Sequence, residues 1–191
     1  DPTYVTALKF TLIFVFVITF FSCSIGLLLA VQANNVIHGK SVYKTLLIWP
    51  YGIAPAVVGV TANYFFSERL GILYGFFHNL WGFNWYENVY DSYIYVFIAA
   101  TWKQISANFI FFLAGLQNIQ KSIIEASMID CKSSFRRFWT ITFPLLMPTT
   151  FFLIIINITY AFFDTLGIID TTTIGAPSGE TKTLVFKAYI D

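Results

Sequence analysis

Leu12-Ile-Phe-Val-Phe-Val-Ile-Thr-Phe-Phe-Ser-Cys-Ser-Ile-Gly-Leu-Leu-Leu-Ala-Val31 decides the fold of this chain. It carries no charge, and the uncharged stretch reaches outward on both sides until Lys9 and His38. About 20 apolar residues at helical rise span the roughly 30 Å hydrocarbon core of a bilayer. The apolar residues lie in one long block, without the core-facing spacing of an amphipathic helix or the alternation of a strand. The solvent for this segment is lipid.

Composition agrees: 57% of the 191 residues are hydrophobic and only 11% charged, against about 45–50% and about 25% in soluble domains. So few charges cannot cover a water-facing surface. A net charge of +1 leaves no footprint for nucleic acid, and the basic residues matter by where they fall. Cys23 and Cys131 are expected as free thiols, one inside the bilayer and one in a loop, so no disulfide framework is implied. The chain opens on Asp1-Pro2 without a Met, and its first apolar block exceeds the roughly 7–15 residues of a signal-peptide core. Both ends read as cut from a longer protein.

Three further blocks follow. Thr45 to Ser67 is uncharged but interrupted by Pro50, Gly52 and Pro55, and reads as a span with a kinked entry. Ser92 to Gln120 contains one charge, Lys103, and Phe138 to Phe163 contains none. Leu70 to Tyr86 is aromatic but short and Gly-rich, which predicts an interfacial helix and loop with Trp81, Trp85 and Tyr86 at headgroup level. After Asp164, Ile168 to Lys182 reads as an extramembrane loop, and the last residues start another element. The expected fold class is an all-α integral membrane protein, a polytopic helical bundle forming one transmembrane domain over residues 1–191.

Four spans alternate sides, so the loop from Gln32 to Lys44 shares a face with the loop from Gln117 to Arg137, opposite Ser67 to Asp91. The first pair contains Lys40, Lys44, Lys121, Lys132, Arg136 and Arg137, whereas the opposite loop contains only Arg69. The positive-inside rule then makes residues 117–144 a cytoplasmic loop and residues 67–91 the interfacial loop on the outer face.

The cytoplasmic loop runs Ser122-Ile-Ile-Glu125-Ala126-Ser127-Met128-Ile129-Asp130-Cys131, then Phe135-Arg136-Arg137-Phe138 and on through Ile141 and Pro144 to Pro148. Ser122 and Glu125 have capping-box spacing, so a helix is predicted to start there. Ile123, Ile124, Ala126 and Ile129 form an apolar stripe on it. A second helix is predicted from Ser134 to Thr142, ending before Pro144. Together they would present an apolar knob at the membrane surface.

This run resembles the EAA loop of ATP-binding-cassette importer permeases. Glu125, Ala126, Asp130, Ile141, Pro144 and Pro148 match its pattern, while Ser127 stands for the second Ala and Cys131 for the Gly. A left-handed residue is expected at that Gly position, where a Cβ costs about 1–2 kcal/mol. The resemblance implies a multi-pass protein of the bacterial inner membrane, of which this chain carries about four of an expected six spans. Its 67–91 loop would then be periplasmic. It also implies that Glu125, Ala126, Asp130, Cys131, Arg136, Arg137 and Pro144 couple to an ATPase dimer. A second permease subunit and a periplasmic substrate-binding protein are the other implied partners. The chain would then be a transport subunit and not an enzyme, with no cofactor of its own and with ATP and magnesium held by the partner ATPase.

Within that family, Trp102-Lys103-Gln104-Ile105-Ser106, Asn108-Phe109, Leu116-Gln117, Arg136-Arg137-Phe138 and Tyr160-Ala161-Phe162-Phe163-Asp164-Thr165 resemble the glycerol-3-phosphate branch, as do Pro50-Tyr51 and Ala54-Pro55-Ala56. That implies sn-glycerol-3-phosphate or a related phosphodiester as substrate, with a related sugar importer as the alternative.

Polar residues inside spans are expensive in lipid and face a bundle interior or a water-filled path. Here they are Asn63, Lys103, Gln104, Asn108, Asn157, Tyr160 and Asp164. All but Asn63 are candidates for an anion path, because Lys103 is the only basic side chain deep in a span and an anion needs a compensating charge. Asp164, near the outer end of its span, would hold Lys103 when the path is empty. The plainer alternatives are interhelical hydrogen bonds of about 1 kcal/mol for the Asn residues and snorkelling or mutual pairing for Lys103 and Asp164. Asn34 to Ser41 falls one Gly short of a phosphate-binding loop and follows a membrane helix, so nucleotide binding is not implied. His38 and His78 lie on opposite faces without Cys or carboxylate at ligand spacing, so no metal site is expected.

Overall fold

The computed structural model describes residues 2–35, 40–69, 71–130, 133–174 and 181–191, and every regular element among them is helical. His38, Cys131 and Lys132 lie outside the described residues. Three of the helical runs are long and apolar enough to cross a membrane: Thr3–Asn35, Val89–Asn118 and Ser134–Asp164.

The first is α1 (Pro2–Asn35), 34 residues and hence about 51 Å long. In its first half one face carries Phe10, Phe14 and Ile18, all buried; the other carries Leu12, Phe16 and Phe20, all exposed. In a bilayer the exposed side chains meet lipid, so helix contacts rest on close packing and hydrogen bonds rather than on water exclusion. The main partner of α1 is α5 (Val89–Asn118). They approach closely at Gly26, where a Cβ would sit 2.7 Å from Asn108 Cβ. The third long run completes the inner core, with Leu146 and Leu153 packed into the cluster of Ala30, Phe109 and Phe112.

Between α1 and α5 the expected kinked span is instead sharply broken. α2 (Lys40–Ile48), a 3₁₀ turn (Trp49–Gly52) and α3 (Pro55–Phe65) lie in sequence, and the axes on either side of the break differ by 106°. Two prolines cause it. Pro50 and Pro55 offer no N–H to the helical ladder, and Ala54, preceding Pro55, is driven to extended geometry at φ −61°, ψ 143°. α3 then packs on α9 (Leu166–Thr171), with Gly59 at the crossing: a Cβ there would lie 2.9 Å from the Ile168 carbonyl and collide with the Thr171 hydroxyl.

α4 (Ile72–Trp81) is a short helix within the segment read as interfacial, closed by Gly82 in the left-handed region at φ +67°. Trp81 and Tyr86 are exposed, as a headgroup position requires, but Trp85 is not. Its Nε1 donates to the Phe66 carbonyl at 3.0 Å and its ring packs on Tyr95 at 4.7 Å, so the indole finds its polar partner inside the protein.

The loop after α5 holds α6 (Lys121–Asp130) and α7 (Ser134–Arg137). The second helix of the loop does not stop before Pro144. α7 runs into a π-helical turn (Phe138–Thr142), then α8 (Phe143–Thr159) and a second π-helical turn (Tyr160–Asp164), one helical run of 31 residues. The wide turn makes room for the pyrrolidine ring of Pro144 and tolerates its missing N–H.

The loop expected from Ile168 to Lys182 starts later, because Ile168 and Ile169 are fully buried in α9 against α3. α10 (Leu184–Ile190) is the further element, docked on the start of α1. The Leu184 N–H donates to Thr11 Oγ1 at 3.0 Å, and Tyr4 donates to Asp191 Oδ2 at 2.6 Å. The Tyr4 hydroxyl and the Lys187 ammonium, 3.3 Å away, hold the Asp191 carboxyl below the usual carboxylate range.

Candidate functional site

The loop of residues 117–144 presents two helices with little covering them. α6 begins at Lys121, with the Gln120 carbonyl accepting from the Ile123 and Ile124 N–H groups. Ser122 therefore lies inside the first turn and is not the cap, because the helix starts two residues earlier than its capping-box spacing suggests. Ser127 is the buried residue of α6, its hydroxyl donating to the Ile124 carbonyl at 2.6 Å. Glu125 and Ala126 face outward, beside Met128 and an Ile129 that is 85% exposed. α7 is capped by Ser133, whose hydroxyl accepts from the Arg136 N–H at 3.4 Å. Arg136 is exposed, while Arg137 is half-buried and donates to Ser134 Oγ at 3.3 Å.

Ile141 closes the pair. With Ser122, Ile123, Ala126 and Ser127 it lines a shallow depression of about 380 Å³ between α6 and the π-helical turn. Pro144 lies just beyond, in the first turn of α8. Asp130 ends α6, and Cys131 lies outside the described residues.

The polar residues within the spans separate into two groups. Gln104, Asn108 and Asn157 are buried and bonded to one another. Gln104 Nε2 donates to Asn157 Oδ1 at 2.6 Å, and the Asn108 and Asn157 amides exchange hydrogen bonds, both at 3.0 Å. Cys23 from α1 joins them, accepting from Asn157 Nδ2 at 3.0 Å and donating to Asn108 Oδ1 at 3.5 Å. One cluster thus pins α1, α5 and α8 together. Tyr160, also buried, donates to the Ala100 carbonyl at 3.3 Å, and Asn63 accepts from the Tyr95 hydroxyl at 2.8 Å while donating to the Thr171 carbonyl.

Lys103 and Asp164 differ from these. Lys103 is half-buried and donates to the Ile53 carbonyl at 2.7 Å, the group set free where α2 and α3 part. Asp164 is exposed, and no ion pair joins it to Lys103 in this arrangement. The six residues expected around one cavity are thus split: four hold helices together, one caps a helix break and one is exposed.

Two partners escaped sequence reading. Cys23 sits in an apolar run whose periodicity does not say which face meets Asn157. The Ile53 carbonyl had a signal, since prolines at 50 and 55 must leave backbone acceptors unpaired. Among the described residues there is no cluster of three side chains able to hold a metal.

The profile of the binding-protein-dependent transport system inner membrane component family matches residues 2–188, nearly the entire chain. The chain belongs to this family. That family consists of inner membrane components of binding-protein-dependent transport systems. The family member from Rhizobium meliloti (strain 1021), sn-glycerol-3-phosphate transport system permease protein UgpA, is 48% identical over 193 residues. That alignment takes in 100% of this chain and 66% of the relative. UgpA of Yersinia enterocolitica is 41% identical, over 99% of this chain and 64% of its own length. The chain thus spans about two thirds of the length of the curated relatives it matches. The crystal structure of a bacterial ABC transporter involved in the import of the acidic polysaccharide alginate superposes with a TM-score of 0.82. At 18% identity over 99% of this chain and 68% of the other, it establishes a shared fold. The same fold recurs, at TM-score 0.81 and 20% identity over 98% of this chain and 66% of the other, in the alginate transporter bound to its pentasaccharide-loaded periplasmic protein.

Proposed function

We propose that this chain is part of a permease that imports sn-glycerol-3-phosphate or a related phosphodiester, driven by ATP hydrolysis on a partner subunit. The observation that carries the reading is α6. Ile123, Ala126, Met128 and Ile129 lie exposed on a ten-residue helix with Glu125 among them, placed between two membrane helices, with Ile141 across a shallow depression from Ile123 and Ala126. Such a face is a ready-made contact for a groove on a water-soluble subunit.

Residues 117–144 then lie in the cytoplasm and residues 67–91 in the periplasm, consistent with the placement of the basic residues. Glu125, Ala126, Asp130, Cys131, Arg136, Arg137 and Pro144 carry the coupling contact to an ATPase dimer, which holds ATP and magnesium. A second permease subunit completes the path, and a periplasmic binding protein delivers the solute. No chemistry occurs on this chain; closure of the ATPase pair moves α6 as a rigid body.

The phosphodiester reading rests on the names of the relatives and on Lys103, which lies midway along α5 and supplies the charge an anion in transit requires. Asp164 is near the outer end of the same path. Gln104, Asn108, Asn157 and Tyr160 frame it, reaching the solute only if the helix contacts they now make are exchanged.

The test is Glu125→Lys in the complete transporter. Folded, membrane-inserted protein is expected at normal abundance, with binding-protein-stimulated ATPase activity and uptake both lost. Full stimulated activity in that variant would falsify the coupling role.

A further inference from the structure

The bend between α2 and α3 is tied to the middle of α5 by a charged group. In a continuous helix the Val57 N–H would reach the Ile53 carbonyl; here it donates to the Ala54 carbonyl at 3.0 Å. Pro55 brings no N–H either, so the Ile53 oxygen needs a donor from another element. Lys103 supplies it, with Nζ 2.7 Å away. Ile53 follows the 3₁₀ turn directly, so the ammonium also meets the negative end of a helical dipole.

The other polar ties of α3 join neutral groups. Tyr95, about 12 Å nearer the start of α5 than Lys103, donates to Asn63 Oδ1 at 2.8 Å. Trp85 Nε1 donates to the Phe66 carbonyl at 3.0 Å, and Thr171 Oγ1 to the Ala56 carbonyl at 3.1 Å. Of these four ties only Lys103 with Ile53 carries a full charge. An anion therefore competes for that tie and leaves the other three intact.

We propose that Lys103 is a latch on the α2–α3 bend and that the anionic solute opens it. The ammonium leaves the Ile53 carbonyl for the phosphate, and the bend is freed from α5 while the far end of α3 stays anchored at Tyr95 and Trp85. This rests on the anion-path reading of Lys103 and adds a response of the fold to the solute. A charged phosphate oxygen attracts an ammonium more strongly than a carbonyl dipole does, most of all away from water. The flexible four-carbon stem of the lysine lets Nζ follow the anion.

The test is hydrogen–deuterium exchange of the complete transporter in lipid nanodiscs without nucleotide, read by mass spectrometry over residues 51–60 and 61–66. Binding protein loaded with sn-glycerol-3-phosphate should speed exchange in 51–60 of the wild type at least about tenfold, the change expected when a hydrogen bond from a charged group opens. Solute-free binding protein should leave it slow, and 61–66 should not change. Lys103→Met should exchange fast at 51–60 without solute and gain nothing when solute is added. Wild-type exchange unmoved by the solute, slow solute-free exchange in Lys103→Met, a further solute-induced rise in that variant, or a rise spread equally over 61–66 would each overturn the latch. Any of these with uptake lost in Lys103→Met removes the latch and leaves the anion path standing, whereas uptake near wild type in that variant removes the path itself.

Discussion

Replacing Asn157 by Leu removes the hub of the buried amide cluster. Asn157 takes part in three amide–amide hydrogen bonds, at 2.6, 3.0 and 3.0 Å, and one contact with the Cys23 sulfur at 3.0 Å. Polar contacts between membrane helices average about 0.6 kcal/mol, so the three amide bonds account for about 2 kcal/mol. Loss of the hub also strands the Gln104 amide at a site with almost no exposure, while Asn108 keeps its bond to the Gln104 carbonyl at 2.9 Å and its contact with the Cys23 sulfur. An unsatisfied buried group costs about 1–3 kcal/mol. Leu has the same branched heavy-atom skeleton as Asn and is somewhat bulkier, so no cavity adds to this, and the expected destabilisation is about 3–5 kcal/mol.

Unfolding of the intact permease in mixed micelles titrated with SDS, followed by far-UV circular dichroism, measures it. The double variant Asn108→Leu with Asn157→Leu should be destabilised by less than the two single changes together, by about 1 kcal/mol, since the two hydrogen bonds that join them are lost in either single change. A loss below about 1 kcal/mol in Asn157→Leu, or strict additivity of the pair, would refute the view that this cluster clamps α1, α5 and α8.

Other perturbations probe the remaining contacts. Lys103→Met is expected to cut binding-protein-dependent glycerol-3-phosphate uptake at least tenfold (about 1.4 kcal/mol) at matched membrane abundance, while Lys103→Arg retains most of it; uptake near wild type in Lys103→Met removes the anion-path role. Asp164→Asn, exposed and unpaired with Lys103, should reduce uptake far less, which the same assay reports. Gly59→Val pushes a branched side chain into the Ile168 carbonyl and Thr171, and thermal unfolding in detergent should show a loss of about 1–3 kcal/mol or more. Trp85→Phe keeps the ring but removes the donor to the Phe66 carbonyl, with an expected cost of about 1–3 kcal/mol in the same measurement.

The spans were readable because lipid as a solvent acts on composition: a run such as Leu12 to Val31 needs no partner to be recognised. What the sequence withheld was pairing. Pro50 and Pro55 announce a break, but the 106° angle is fixed by distant contacts, Gly59 against α9 and Lys103 on the Ile53 carbonyl. Ile168 and Ile169 look like the start of a polar loop because Thr, Gly and Pro follow them, yet α3 covers both. Trp85 resembles an interfacial anchor because its own segment is short and aromatic, while its hydrogen-bond partner lies nineteen residues away. Pro144 ends a helix by local rules, and only a π-helical turn, which no residue pattern here signals, lets the run continue. The polar residue types Gln104, Asn108 and Asn157 were identifiable one by one; their assignment to helix contacts depends on three spans meeting at one depth.

That meeting point bears on how motion at α6 would reach the membrane. α6 is tied on one side to α5, which ends at Asn118, and on the other to α8 through α7 and the first π-helical turn. Asn108 lies ten residues above the end of α5, about 15 Å into the bundle, and Asn157 fifteen residues beyond Thr142, about 22 Å along α8. Both limbs of the loop therefore lead to the same amide cluster. A force on α6 cannot shear α5 against α8 without breaking hydrogen bonds that have no water to replace them. The two helices, with α1 attached through Cys23 and the close approach at Gly26, should move as one block. Bending should then concentrate where the helical ladder is already irregular: the α2–α3 break and the two π-helical turns. Asn157→Leu would convert that block into three separately sliding helices, so ATP hydrolysis should continue while uptake per ATP falls; an unchanged ratio in that variant would show that the loop moves the bundle by another route.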